Sequence, residues 1–160
     1  MPTQTITIVN EARVQPWALA KVESAIMAQS LQLRAAWGTP CVRFGPGGWM
    51  VYLQTGYESL QGGGYTLEVG GEHYGLGVPG PDWHGQPYVI VKTGGAAYTA
   101  WSYALSHEVD EMLVDPTDAM YYVWPNGSRQ LLEVCDPVEA DTYTLDGVTV
   151  DDFTLPAAWS

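Results

Sequence analysis

The chain has 160 residues, of which 46% are hydrophobic, a size and composition that predict one folded domain over residues 1–160. Its formal charge of −12, from eighteen acidic and six basic residues, creates a field that repels nucleic acid and anionic lipid, so we expect neither as a partner. No apolar run approaches the roughly 20 residues that cross a bilayer, and the start lacks the basic and hydrophobic regions of a signal peptide.

The first part of the chain predicts strands around one long helix. Residues 5–9 alternate β-branched and apolar side chains as a strand does. Pro16 suits the first turn of a helix, and apolar residues recur at three- and four-residue spacing until Gly38, which is typical of a helix end. Residues 41–44 and 49–54 are apolar runs separated by GPGG, a pattern that predicts two strands joined by a turn. We expect the helix to cover one face of a sheet.

Glycine dominates residues 55–85. This composition predicts loops with one strand at residues 65–69, and residues 87–92 then predict a further strand. We expect His73 and His84 to be solvent-exposed or hydrogen-bonded loop histidines, not ligands.

The two cysteines, Cys41 and Cys135, are far apart and form no Cys-x-x-Cys pair. This spacing excludes a zinc site made of cysteine alone and a disulfide-dense scaffold. One long-range disulfide and two free buried thiols are both compatible with the sequence, and we expect free thiols.

The second predicted helix begins after Gly95 and ends at Asp115, before Pro116, and the stretch between these points contains no Pro or Gly. At about 100° per residue, Trp101, Leu105 and Met112 stack on one side of this helix, with Val109 flanking them. These apolar side chains predict a core stripe. The opposite side, which we expect to face solvent, carries Ser102, Ser106 and Asp110.

His107, Glu111 and Asp115 fall in one line along this helix, and Glu108 lies between that line and the apolar stripe. Carboxylates that border buried surface need a metal, a cation or hydrogen-bond donors as partners. The second half of the chain contains only two Lys or Arg residues. A metal ion is therefore the better candidate counter-charge.

The motif His-Glu-x-x-Glu at residues 107–111 suits hydrolytic metal chemistry. An imidazole and a carboxylate four residues apart on a helix can bind one zinc ion, and the glutamate after the histidine can accept a proton from metal-bound water. We interpret His107 and Glu111 as metal ligands and Glu108 as the catalytic general base. Further ligand candidates are Asp115, Glu133, Asp136 and Glu139. Metal affinity should weaken as pH falls through the histidine range, near about 6.5.

Calcium is an alternative to zinc, because the same part of the chain is rich in the oxygen donors that calcium prefers. Their spacing does not match an EF-hand loop. These donors are Asp115, Asp118, Glu133, Asp136, Glu139 and Asp141.

Two segments, SHEVDEMLVDP and LLEVCDPVEADTYTLDGVTVDDFTLPAAW, resemble a group of uncharacterised proteins of tailed bacteriophages and bacterial genomes. In that group a Ser-His-Glu-x-x-Glu-x-x-x-Asp-Pro helix precedes a Glu-Val-x-Asp-Pro-Val-Glu segment, a Gly-Val strand and a Phe-x-x-Pro segment followed by Trp. The resemblance covers most of the chain. It implies a phage virion or the bacterial cytoplasm as location, and assembly with phage structural proteins.

The same segments are more distantly similar to zincin-like proteins, including the plant exordium-like family. That similarity implies an α+β fold: a single zincin-like domain in which a mixed β-sheet and a backing helix precede an active-site-type helix. It also implies His107 and Glu111 as metal ligands, Glu108 as general base, and Glu133 or Asp136 as further metal-site residues. The chain departs from the usual zincin pattern because Glu111 replaces a histidine and no third histidine follows.

Two functions follow from the motif and the resemblances. The first is a zinc-dependent peptidase that acts on a peptide or protein partner through a metal-activated water. The alternative is a non-catalytic phage virion or assembly protein that retains the zincin-like fold and holds a structural zinc or calcium ion.

Overall fold

The structure is a computed structural model that describes residues 1–59, 65–67, 69–75, 78, 85–94, 98–139 and 141–160. These residues form two α-helices, α1 (Pro16–Trp37) and α2 (Tyr98–Val114). They also form the strands β1 (Thr3–Asn10), β2 (Cys41–Phe44), β3 (Trp49–Gln54), β4 (Tyr57–Ser59), β5 (Tyr65–Leu67), β6 (Val69–Tyr74), β7 (Tyr88–Thr93), β8 (Tyr121–Val123), β9 (Arg129–Leu131), β10 (Thr142–Leu145) and β11 (Val148–Asp151). Two short 3-10 helices cover Asp136–Val138 and Pro156–Trp159.

The central layer is a five-stranded mixed sheet with the strand order β2-β1-β3-β7-β6. Strands β2, β1, β3 and β7 are parallel to one another, and β6 at the edge runs antiparallel to β7. Three two-stranded hairpins pair β4 with β5, β8 with β9, and β10 with β11. A mixed sheet with two helices is compatible with the predicted α+β class.

Strands β2 and β3 lie where the sequence predicts strands, but they do not pair with each other. Both run parallel to β1, on opposite sides of it. Ile6 of β1 pairs with Phe44 of β2 on one side and with Trp49 of β3 on the other, so the segment between β2 and β3 crosses β1 at Ile6. A Cβ added to Gly48 would lie 2.0 Å from the carbonyl oxygen of Thr5. The segment that passes across β1 therefore requires glycine at this position.

Helix α1 begins and ends where the sequence predicts. Pro16 occupies its first turn, and Gly38 ends it in the left-handed conformation with φ of 73°, donating its N–H to the carbonyl of Arg34 at 2.8 Å. The helix packs against β2, α2, β10 and β11. Its buried residues are Ala18, Val22, Ala25, Ile26, Gln29, Ser30 and Leu33.

Helix α2 is enclosed on several sides, which corrects one expectation. The predicted apolar stripe is at most 1% exposed, but Ser102, Ser106 and Asp110 on the other side are equally buried. The helix packs on β6 and β7 of the sheet and also against β11 and α1. Ser102 donates its hydroxyl to the carbonyl of Thr149 at 2.6 Å, and the hydroxyl of Ser106 accepts the N–H of Asp151 at 2.8 Å. Both serines therefore fasten β11 along α2.

The glycine-rich segment contains more strand than the sequence predicts. Strands β4, β5 and β6 lie within it, and the strand predicted at residues 65–69 is represented by β5 and the start of β6, while residue 68 lies outside the described part. In the antiparallel register, His73 pairs with Val89 and Gly71 with Val91. Because directly opposed residues share one face of a sheet, His73 and Gly71 face α2 together with these core valines.

Both cysteines are free, as expected, with Cys135 buried and Cys41 half-buried. Neither helix of the described part of the chain combines the length and apolar character that crossing a membrane demands.

Candidate metal centre

Helix α2, the edge strand β6 and the segment after β9 surround a cavity of about 230 Å³. Six carboxylate side chains and two imidazoles line it, and within the described part of the chain no Lys or Arg does so. The charged lining residues are Glu72, His73, His107, Glu108, Glu111, Asp118, Glu133 and Asp136. The cavity therefore has the strong negative charge that the sequence predicts for a cation site.

His107 presents its two ring nitrogens to two different environments. Nδ1 lies 2.7 Å from Oδ2 of Asp151, a carboxylate that is fully buried. Nε2 lies 3.4 Å from Oε1 of Glu111 and 3.2 Å from Oδ1 of Asp136. A metal-ligating imidazole usually has such surroundings: a carboxylate holds one ring nitrogen, and the other ring nitrogen faces the remaining metal ligands.

The distances around Nε2 of His107 fit a bound metal ion. A charge-assisted N–H···O hydrogen bond is about 2.7–2.9 Å long, which is the length of the contact with Asp151 but not of the other two. Ligand atoms at the corners of a tetrahedron, with metal bonds of about 2.0–2.1 Å, lie about 3.3 Å apart. The two distances from Nε2 of His107 match this spacing, and the ligand atoms of His107, Glu111 and Asp136 all lie within 4.8 Å of one another.

Glu111 is held firmly in this position. It is 2% exposed, and its Oε1 accepts the backbone N–H of Cys135 at 3.2 Å. Burial alone would raise the pKa of Glu111, but the neighbouring His107 and His73 outweigh this effect and lower the pKa to about 2. The side chain is therefore ionised, as a metal ligand must be.

His73 belongs to the same cluster, contrary to the expectation of a loop histidine. It is 5% exposed on β6, and its Nδ1 lies 3.5 Å from Oε2 of Glu108 and 3.4 Å from Oε2 of Glu111. Its Nε2 lies 3.4 Å from Oδ1 of Asp118. Although burial lowers the pKa of His73, Glu108 and Glu111 together raise it to about 10. The other histidine of the glycine-rich segment, His84, lies outside the described residues.

Glu108 lies between the sheet and the cavity, where the sequence predicts the catalytic base. It is 8% exposed, and burial raises its pKa above the usual value. A Cβ added to Gly71 would lie 2.6 Å from Cγ of Glu108. Glycine at this position of β6 therefore leaves the space that the Glu108 side chain occupies.

Glu133 and Asp136 both line the cavity, and Asp136 also approaches His107, with its Oδ1 lying 3.2 Å from Nε2. Burial raises the pKa of Glu133 to about 7, and the nearby Asp136 adds to this effect.

The backbone between Glu133 and Asp136 is held in place by Thr154, whose N–H and hydroxyl both donate to the carbonyl of Val134 at 2.8 and 2.7 Å. Trp159 in turn donates its indole N–H to the Thr154 hydroxyl at 2.8 Å.

Asp115 has a different role from the predicted one. It is 1% exposed, and its two carboxylate oxygens accept hydrogen bonds from the backbone N–H groups of Thr117, Ala119 and Met120 and from the Thr117 hydroxyl. These bonds, 2.6–3.1 Å long, use both oxygens to shape the turn after α2. The predicted ligand role of Asp115 is therefore replaced by a structural one.

Two further acidic or thiol groups behind His107 are poor ligand candidates. Burial raises the pKa of Asp110 well above the usual value, so this residue contributes less negative charge than the sequence suggests. Burial also raises the pKa of the Cys135 thiol, whose Sγ lies 3.7 Å from the His107 carbonyl oxygen as a donor. Because metal binding requires the thiolate, we interpret Cys135 and Asp151 as supports of His107, with Asp151 contacting its ring and Cys135 its backbone carbonyl.

Of the remaining predicted oxygen donors, Asp118 lines the cavity, where its Oδ1 lies 3.4 Å from Nε2 of His73. Glu139 instead lines a separate cavity with Tyr103, Thr142 and Thr149. Asp141 is exposed.

Comparisons of the chain with protein-family models, with curated proteins and with solved structures found no match.

Proposed function

We propose that this chain is a zincin-like, zinc-dependent hydrolase of peptide bonds. The observation that carries the proposal is the meeting of His107 Nε2, Glu111 Oε1 and Asp136 Oδ1 at separations of 3.2–3.4 Å, measured from the imidazole nitrogen. Glu108 lies in the same cavity beside them. Three ligands and a neighbouring base are the parts that a catalytic zinc site requires.

The donor set favours zinc over calcium. Calcium takes six to eight oxygen ligands, whereas zinc readily combines an imidazole nitrogen with carboxylate oxygens in a four-coordinate site. Three protein ligands leave the fourth position for water or substrate. A zinc ion bound there would act as a Lewis acid and lower the pKa of its bound water to about 7.

The protein's own groups would position the reaction and move the proton. Asp151 holds the His107 ring through Nδ1, which leaves Nε2 directed at the ligand group. Glu108 would accept a proton from the attacking water, and the raised pKa of its carboxyl group brings it closer to neutral pH, where a general base works best. His73 lies against Glu108 and helps to fix its orientation.

A peptide is the substrate class that the surroundings favour. Strand β6 contributes Gly71, Glu72 and His73 to the cavity. Among the described residues, no strand pairs with the edge of β6 that faces away from β7. An extended peptide can add to such an edge through main-chain hydrogen bonds, which would bring its backbone alongside Glu108 and the ligand group.

Elemental analysis tests the proposal most directly. We expect about one tightly held zinc ion per chain in protein purified without chelator or metal-affinity resin. His107→Ala and Glu111→Ala should each lose this ion, whereas Glu72→Gln, a charge change in the same cavity, should retain it. Loaded protein should cleave members of a fluorogenic peptide library. Wild-type protein without tightly bound zinc would contradict the proposal.

Zinc affinity should continue to rise with pH well above about 6.5, the histidine range expected from the sequence. Burial alone would lower the pKa of His107, but Asp151 and Glu111 raise it to about 11 in the metal-free protein. Because this ring must lose a proton before Nε2 binds metal, affinity should fall about tenfold for each unit that pH drops from 9 to 6. Competition with a chelator of known affinity measures this slope. An affinity independent of pH over that range would remove His107 from the ligands.

A non-catalytic role in a phage particle is the second candidate. It is favoured by the hairpin of β8 and β9, where Tyr121 and Val123 are each 55% exposed and Met120 is 45% exposed. Apolar side chains at such exposure suit contact with another protein. In this role the ligand group would hold a structural ion. A monomeric product that never copurifies with particles would count against it.

A further inference from the structure

The two carboxylate oxygens of Glu111 face different histidines. Oε1 lies 3.4 Å from Nε2 of His107, and Oε2 lies 3.4 Å from Nδ1 of His73. The backbone N–H of Cys135 donates to Oε1 and keeps the carboxylate in this orientation. Glu111 therefore stands between two imidazoles at equal distances, as a carboxylate that bridges two metal ions does.

Each side of Glu111 is completed by one more carboxylate. On the His107 side this is Asp136, and on the His73 side it is Glu108, whose Oε2 lies 3.5 Å from Nδ1 of His73. These separations are again longer than a charge-assisted hydrogen bond and close to the spacing of ligands around one ion, about 3.3 Å. His73, Glu108 and Glu111 thus form a second group of three ligand atoms, all from buried residues.

The ring of His73 also has the surroundings of a ligand. Its Nε2 is buried, makes no hydrogen bond within the described part of the chain, and lies 3.4 Å from Oδ1 of Asp118. When the near nitrogen binds a metal, the far nitrogen carries the N–H, and ligating histidines usually donate it to a neighbouring carboxylate such as Asp118. The lining of the cavity also suits cations, since it has six carboxyl side chains and, among the described residues, no Lys or Arg.

We propose that Glu111 bridges two cation positions, and that the second, formed by His73, Glu108 and Glu111, binds zinc more weakly and inhibits hydrolysis when it is filled. The inhibitory effect rests on the proposed function, whereas the binding position rests on the ligand geometry alone. The His107 position should fill first because a 2.7 Å hydrogen bond to Asp151 holds the His107 ring in place, whereas Nε2 of His73 makes no hydrogen bond within the described residues. A cation at the second position must then share Glu111 with the first cation and is repelled by it. Inhibition follows because a metal-bound Glu108 can no longer accept a proton.

Titration of metal-free protein with zinc chloride, followed by calorimetry and by equilibrium dialysis with elemental analysis, tests the binding position. Wild type should bind about two zinc ions per chain in a tight and a weak class. His73→Gln should lose the weak class and keep the tight one. The matched control is Asp136→Asn, which removes a ligand that only the first position uses. It should lower the zinc affinity of the tight class.

Circular dichroism of each variant establishes that it is folded. If His73→Gln fails to fold, Glu108→Gln provides the same test because it also removes a ligand of the second position only. Wild type with a single class of zinc would overturn the inference. So would a weak class that persists unchanged in the folded variant.

Peptide hydrolysis at increasing zinc gives the second readout, taken as a ratio within each variant. In wild type the rate should rise with the first equivalent and fall about 10²-fold or more as the second binds, since a general base contributes about 10²–10⁴-fold. The rate that His73→Gln shows with one equivalent of zinc should not fall when a second equivalent is added. A wild-type rate unaffected by the second equivalent would overturn the inhibitory role. Absence of hydrolysis at every zinc level would instead overturn the hydrolase proposal, and the titration alone would then decide the second position.

Discussion

On the proposed function, Glu108→Gln should lower the rate of peptide hydrolysis by about 10²–10⁴-fold while the protein still binds zinc at the position assigned to His107, Glu111 and Asp136. The amide is nearly the same size as the carboxylate and fits the space beside Gly71, but it cannot accept a proton. The substitution therefore separates the proton transfer from metal binding. Initial rates at one equivalent of zinc, together with elemental analysis of the same samples, measure both quantities.

The matched control is Glu72→Gln, which removes a carboxylate from the same cavity. Glu72 is exposed and accepts the hydroxyl of Tyr74 at 3.0 Å. Its substitution should leave the rate within a small factor of wild type. An active Glu108→Gln protein, or equal losses in both variants, would contradict the assignment of Glu108 as general base.

Asp115→Ala should destabilise the protein by about 3 kcal/mol or more, because it leaves several donors at the end of α2 without their acceptor. The carboxylate accepts three backbone N–H groups and one hydroxyl, and a hydrogen bond to a charged group has a net contribution of about 1.5–3 kcal/mol. Water can replace the acceptor for part of these donors, so the total cost is smaller than the sum. Urea unfolding followed by circular dichroism measures the free energy of unfolding, provided that the m-value is unchanged.

Thr117→Val is the matched control for this effect. It removes the one side-chain donor to Asp115 and retains the backbone N–H of residue 117. Its cost should be about 1 kcal/mol or less, because residue 117 is exposed and only one hydrogen bond is lost. If Asp115→Ala were no more destabilising than Thr117→Val, the structural role given to Asp115 would be wrong.

The helices could be predicted from the sequence because their signals are local. Pro16 and Gly38 mark the ends of α1 through backbone conformation alone, and the apolar stripe of α2 follows from a period of 3.6 residues. The pattern of residues 107–111 likewise fixes which side chains project together, so His107, Glu108 and Glu111 reach one cavity as predicted.

What the sequence could not supply are the partners that come from distant parts of the chain. Asp151 lies 44 residues from His107 and meets it only because β11 packs along α2. His73 lies within a glycine-rich stretch whose composition favours loops, and its burial depends on pairing with β7. In the structure Glu72 is exposed and His73 is buried, as successive side chains of a strand point to opposite faces of the sheet.

Asp115 and Ser106 show a second limit of sequence patterns. A helical wheel places residues around an axis, but it does not say which neighbour each face will meet. Asp115 shares a line with His107 and Glu111, yet its oxygens turn to the backbone beyond the helix. Ser106 lies on the side expected to face solvent, yet it is buried against β11.

The contacts of Asp151, Thr154 and Trp159 have a consequence for the order in which the cation site can form during folding. Helix α2 carries His107 and both glutamates of the motif, but the ring of His107 is oriented by Asp151, and the backbone next to Asp136 is held by Thr154 and Trp159. A folding intermediate in which residues 151–159 have not docked therefore has the motif without a shaped site. Tight metal binding would then require that this segment docks first.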